Sequence, residues 1–160
     1  MIMREQEIKE IVAAVVAECS RPEMTLTKAK QLIERIEQKA REKGVAAVIA
    51  VADPAARIVA VHCMDQAYIA SYDIAVNKAY TSAGLKMSTA ELGALSQPGQ
   101  PLYGIQYTNE GRIVIFGGGE ILEIGGEIIG ALGVSGGTAE QDTELAAFGK
   151  EIFKEVLACL

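Results

Sequence analysis

The chain has 160 residues, a mass of 17.0 kDa, an apolar content of 50%, a formal charge of -6 and a pI near 4.9. That length suits one domain with a real core and is cramped for two. The acidic balance argues against a non-specific nucleic-acid binder or a protein held on anionic membranes, since both need basic surface.

The longest uncharged apolar runs, Val45 to Ala52 and Ile128 to Val134, are strand-sized and far short of a membrane span. Acidic residues occupy the N-terminus where a secretory signal needs a basic region and an apolar core, so export is not expected. Cys19, Cys63 and Cys159 are odd in number and lack C-x-x-C spacing, which implies neither a disulfide framework nor a zinc site and fits a reducing cytoplasm.

Ile8, Ile11, Val12, Val15, Val16 and Cys19 fall on one face of an amphipathic helix, with Glu5, Glu7, Lys9, Glu10 and Glu18 on the others. Ser20-Arg-Pro22 breaks it, because proline cannot continue the helical bonds. Residues 1–22 therefore form a separable helix and linker, and residues 23–160 the domain. A second helix is expected from about Thr27 to Lys43, with a stripe of Ala29, Leu32, Ile33, Ile36 and Ala40 and a C-cap at Gly44. Val45 to Ala52 and Arg57 to Met64 read as an antiparallel hairpin across the turn at Asp53-Pro-Ala-Ala.

From Ser71 to Leu85 small residues dominate one helical face, including Ile74, Ala75, Ala79 and Ala83, which lets a helix lie close to a sheet. Ser88-Thr-Ala-Glu91 is a capping box opening a short helix that ends near Ser96, and the segment from Gln97 is a loop. Three strands follow, Ile113 to Phe116, Glu120 to Ile124 and Glu127 to Ser135, linked by Gly117-Gly-Gly and Gly125-Gly126. Gly-Gly supplies the positive φ angles of a tight hairpin, while Gly130, Gly133 and Gly136 leave bare backbone where another chain or a flat ligand can approach closely. Thr138 and Gln141 form another capping box before a final helix that packs Leu145, Phe148, Ile152, Phe153, Val156 and Leu157. The order predicts an α+β domain, an antiparallel sheet of about five strands with helices mainly on one face.

Gly125-Gly126 through Asp142, read with Met64-Asp65 and the run from Ser71 to Ala79, resembles the family of GlcG, HbpS and the PduO C-terminal domain. The match runs from about Met24 to the C-terminus. The resemblance implies a profilin-like sheet, assembly into rings that are commonly octamers, and a haem ligand, with a corrinoid as the alternative cofactor. Many members carry arginine where Cys63 stands, so the pocket charge differs here. The first helix resembles the short tags that carry enzymes into bacterial microcompartments, where PduO-type proteins reside. A shell or cargo contact through residues 1–22 and a location inside such a compartment are implied, and an ordinary terminal helix is the competing reading.

Neither G-x-x-x-x-G-K-[ST] nor G-x-G-x-x-G occurs, so the glycines read as turns and packing rather than a phosphate cradle. A single histidine and no G-x-S-x-G elbow leave hydrolase chemistry unsupported. His62, Cys63 and Met64 are consecutive soft or borderline ligands at a strand end. Alternation places His62 and Met64 on one face and Cys63 on the other. His62 is the candidate axial ligand to haem iron, set against a plain structural histidine. Lys78 is a candidate partner for a propionate or carboxylate, assisted by the backbone amides of Gly117, Gly118 and Gly119. Its competing reading is an ion pair with Asp73 or Glu120. The five tyrosines, Tyr68, Tyr72, Tyr80, Tyr103 and Tyr107, suit an interface better than a cofactor box.

The resemblance implies a non-enzymatic or accessory protein that holds haem or a related tetrapyrrole in a cleft beside Met64 and the glycine loops. The alternatives are an enzyme acting on a carboxylate or aldehyde through Lys78 and Asp65, and an assembly module without cofactor.

Overall fold

The computed structural model describes residues 7–12 and 23–158. Residues 7–12 are helical, and the remainder of the expected first helix, with its linker, lies outside the described residues. Four helices follow, α1 (Leu26–Glu42), α2 (Ser71–Leu85), α3 (Thr89–Leu95) and α4 (Ala139–Ala158). The strands are β1 (Val48–Ala52), β2 (Ile58–Cys63), β3 (Gly119–Ile124) and β4 (Glu127–Ser135). They form one antiparallel sheet in the order β2-β1-β4-β3. Among the described residues no helix is long and apolar enough to cross a membrane.

Local signals account for most boundaries. The Thr25 hydroxyl accepts from Lys28 N at the start of α1, and Gly44 takes φ +69° just beyond its end. Ser88 and Glu91 complete both bonds of the capping box on α3. Thr138 and Gln141 do the same for α4, at 2.9 and 3.3 Å. Gly125 and Gly126 both have positive φ, as a two-residue turn between β3 and β4 requires.

β1 lies between β2 and β4 and is buried along its whole length, which explains its unbroken apolar sequence. Ile49 and Val51 join the main core with Leu32, Ile33 and Ile36 of α1 and Leu145, Ile152 and Phe153 of α4. Val48, Ala50 and Ala52 point the other way, onto Ala75 and Ala79 of α2. The helices therefore cover both faces of the sheet, α1 and α4 one and α2 the other, where the sequence predicts most of them on one. Alternation along β1 allows it, because each face of that strand offers apolar side chains.

The α+β class stands with four strands rather than about five. Ile113 to Phe116, expected as a strand, joins no ladder. Its backbone is instead held by α2, whose Thr81 hydroxyl accepts from Val114 N at 3.0 Å. A β-branched run without a neighbouring strand edge satisfies its backbone wherever a partner stands.

Candidate functional site

His62 and Met64 stand at the end of β2, one edge strand of the sheet, on the side of α1. The His62 Nδ1 lies 2.8 Å from Glu37 Oε1, and Arg41 on the next turn of α1 holds the other carboxylate oxygen at 3.1 Å. Because a carboxylate accepts, Nδ1 donates this bond, and Nε2 is the ring's remaining nitrogen. A carboxylate bonded to the far nitrogen is the arrangement that fixes the tautomer and raises the basicity of a ligating imidazole. The His62 side chain is 34% exposed, so the ring is neither sealed in the core nor free in solvent.

Met64 shares the His62 side of the strand, as alternation predicts, but its thioether turns inward. It accepts from Ala47 N at 3.4 Å and packs against the main core. Cys63 is exposed. An open depression of about 350 Å³ lies here, lined by Glu37, Arg41, Cys63, Met64 and Asp65. The positively charged residue at this depression is Arg41, which pairs with Glu37. No motif marks it, because it reaches the site only when α1 packs against β2.

Lys78 lies elsewhere. It projects from α2 into the interior, with no exposed side-chain surface, and its ammonium donates to Val134 O at 2.7 Å and Asp142 Oδ2 at 2.8 Å. The Phe116 ring covers it at 4.9 Å. Burial pushes the Lys78 pKa below its ordinary value, and the Asp142 carboxylate opposes that shift by bonding and charge. Asp142 also accepts from Gly137 N at 2.9 Å, so one carboxylate ties together α2, α4 and the end of β4.

The structure does bring Lys78 and the glycine loop together. A Cβ on Gly118 would sit 2.6 Å from the Lys78 nitrogen, and one on Gly119 would sit 2.7 Å from the Ser82 hydroxyl and 3.0 Å from Lys78 O. Gly117 is as tightly placed, against Thr143. Their backbone is pressed onto the helices, with Gly119 N donating to Thr89 and Gly118 O accepting from Val134 N. These glycines make room for the buried pair.

The single cleft expected beside Met64 and the glycine loop thus divides into two places. β2 and β3 are opposite edges of the sheet, so His62 and Gly119 stand three strands apart. Neither Asp73 nor Glu120 pairs with Lys78; Glu120 bonds Lys150 at 2.8 Å. Asp65 lines the depression at β2, away from the buried lysine, so the two residues expected in an enzyme do not face a common substrate. A larger groove of about 570 Å³, between β3 and α4, is lined by Glu120, Glu123, Ala147, Lys150, Glu151 and Lys154 and holds none of the expected ligand residues. Among the described residues there is no cluster of three or more histidine, cysteine or carboxylate side chains placed to hold a metal ion.

Comparison with known proteins agrees with this fold. The chain is 45% identical over 133 residues to an uncharacterised 15.0 kDa protein from the dhaT-dhaS intergenic region of Citrobacter freundii, covering 83% of this chain and 94% of that one. It superposes on the Klebsiella pneumoniae protein ORFY with a TM-score of 0.80 and 43% identity, over 84% of this chain and 94% of the other. A complex of PduOC with heme superposes with a TM-score of 0.78 and 32% identity, over 81% and 94%. Residues 24–151 match the family described as haem degrading protein HbpS-like, and with most of its length inside that match the chain belongs to the HbpS-like family.

Proposed function

We propose that this chain is an accessory ligand-binding protein that holds haem at the β2 edge, with His62 as axial ligand. The observation that carries the reading is the Glu37 bond to His62 Nδ1, which leaves Nε2 as the ring's other ligand atom, while Glu37 and the adjoining Cys63 and Met64 line an open depression. The donor set fits an iron tetrapyrrole in three respects. His62 supplies nitrogen, Arg41 offers a positive charge to a propionate from the rim, and Met64 fills the floor. The depression is open and partly charged, so the apolar faces of the macrocycle need cover from a second copy of the chain, consistent with the homo-oligomer that the family resemblance implies. A bound haem would bring a redox-active iron; the chain's own residues bind and orient it. The neighbouring heme complex supports haem over a corrinoid.

Titration of the purified protein with haemin is expected to give a saturable visible spectrum. His62→Ala should lose the axial-ligand features, and Glu37→Gln should weaken binding by about 10–100-fold, the usual effect of removing an outer-shell partner. Unchanged spectra for His62→Ala would move the site away from β2. Saturation with cobalamin and not haemin would favour the corrinoid, and saturation with neither would leave the assembly module as the better reading.

A second reading concerns residues 1–22, as a tag that places the protein in a bacterial microcompartment. Its support is that Ile8, Ile11 and Val12, the apolar residues of the described helical segment, remain about half exposed. A helix docked on its own domain buries that stripe. Residues 1–22 fused to a fluorescent protein are expected to gather into puncta in cells making shells, and diffuse fluorescence there would reject the tag.

A further inference from the structure

The ion pair with Glu37 does not exhaust what Arg41 offers. The two residues stand one turn apart on α1, and the Arg41 guanidinium meets Glu37 Oε2 through one nitrogen at 3.1 Å. The Arg41 side chain is 63% exposed against 15% for Glu37, so further N–H donors of its planar fork are left at the rim of the depression. Glu37 is fixed from its other side, with Oε1 bonded to His62 Nδ1 at 2.8 Å, so a single carboxylate holds the guanidinium and the imidazole at one edge of the site. Asp65 lines the same depression with an exposed carboxylate that forms no ion pair among the described residues. Arg41 is the one cation among the described residues that line it.

We infer that Arg41 makes the site selective for a tetrapyrrole with a free side-chain carboxylate, and that it takes one such group and no more. This rests on the haem reading above and extends it to the relatives of that ligand which the site refuses. A carboxylate at the rim gains charge-assisted, in-plane N–H donors without displacing Glu37. An ester or amide in its place accepts only neutral hydrogen bonds, about half as strong. Cobalamin carries amides around its ring, so the same residue separates the two classes of cofactor. A second carboxylate on the same edge of the ligand finds no further cation among the described lining residues and meets Asp65, whose like charge disfavours it.

Metal-free protoporphyrin IX tests this, because without iron there is no axial bond and the porphyrin's fluorescence reports binding directly. The diacid, its monomethyl ester and its dimethyl ester are titrated in one detergent-containing buffer into the wild type, Arg41→Gln, and Arg41→Gln with Cys63→Arg. The wild type is expected to bind the diacid and the monoester within about twofold of each other and the diester about five- to tenfold more weakly, the scale of a partly exposed charge-assisted pair. Arg41→Gln should remove that difference with an unchanged far-UV spectrum, and Cys63→Arg, which returns a cation to the same depression from β2, should bring it back. A diester bound as tightly as the diacid, a monoester as weak as the diester, or a preference that survives Arg41→Gln overturns the selectivity and leaves haem binding at His62 standing. A saturable haemin spectrum without porphyrin binding overturns it too, since the iron bond then carries all the affinity. Saturation with neither haemin nor porphyrin overturns the haem reading itself and this inference with it.

Discussion

Lys78→Ala is expected to destabilise the protein by about 3–5 kcal/mol, enough to remove much of the stability of a domain this size. The lysine is fully buried, and its loss leaves the Asp142 carboxylate in the interior without its counter-charge and Val134 O without its side-chain donor. Asp142→Leu should cost a similar amount from the other side. The double change Lys78→Met with Asp142→Leu is expected to recover more than half of the loss, because the pair's attraction only offsets the cost of taking both charges out of water. Urea unfolding of the two single variants and the double variant checks this, and single variants within about 0.5 kcal/mol of wild type would show the pair to be solvated.

The same pair predicts a pH dependence of known sign. Burial holds the folded pKa of Lys78 below its ordinary value, so between the two values the unfolded chain binds more protons. Stability therefore rises with pH across that window, which lies below 10.5. Asp142→Leu should steepen the rise, since it removes the group that opposes the shift. A melting temperature for that variant that falls as the buffer is made alkaline would contradict the assignment.

Gly133→Ala is expected to cost about 1–3 kcal/mol, towards the upper end. An added Cβ on this β4 residue would stand 2.0 Å from Ala75 O and 2.7 Å from Ala79 N, both backbone atoms of α2. The helix cannot retreat freely, because its Lys78 is tethered to Val134 O of β4 and to Asp142. Gly84, also in α2, is the control: nothing lies within 4 Å of its added Cβ, so Gly84→Ala should be neutral or gain up to about 1 kcal/mol. Equal melting curves for the two variants would mean that α2 does not sit on β4 at bare-backbone distance.

Both predictions concern α2, where the sequence was informative in one respect and silent in another. Its span, Ser71 to Leu85, and its small inner residues were legible, because helical spacing of alanines is a local pattern. That Lys78 belongs to the buried side was not, since a lysine amid small residues looks like a solvated charge until its counter-ion is known. The counter-ion lies 64 residues away in α4. Asp73 and Glu120, the acids the sequence offers as partners, do not meet Lys78.

His62 follows the same logic at shorter range. Its strand-end position and its shared side with Met64 came from alternation alone. Glu37, which bonds the ring, and Arg41 beside it lie in α1 and carry no motif. They are ordinary members of a charged helical face until that helix crosses β2.

By itself the sequence determined the class of fold, the helix caps, the Gly125-Gly126 hairpin and the glycine positions where backbones meet, because each is set by interactions within a few residues. The tertiary structure alone decided that the sheet has four strands, that α2 takes the second face, and that His62 and the Lys78–glycine cluster occupy opposite edges. Those outcomes depend on which distant segments share a strand edge or a desolvated interior. Ile113 to Phe116 shows why: a run with strand-forming side chains became a strap because the hydroxyl of Thr81, and not another strand, stood within reach of its backbone.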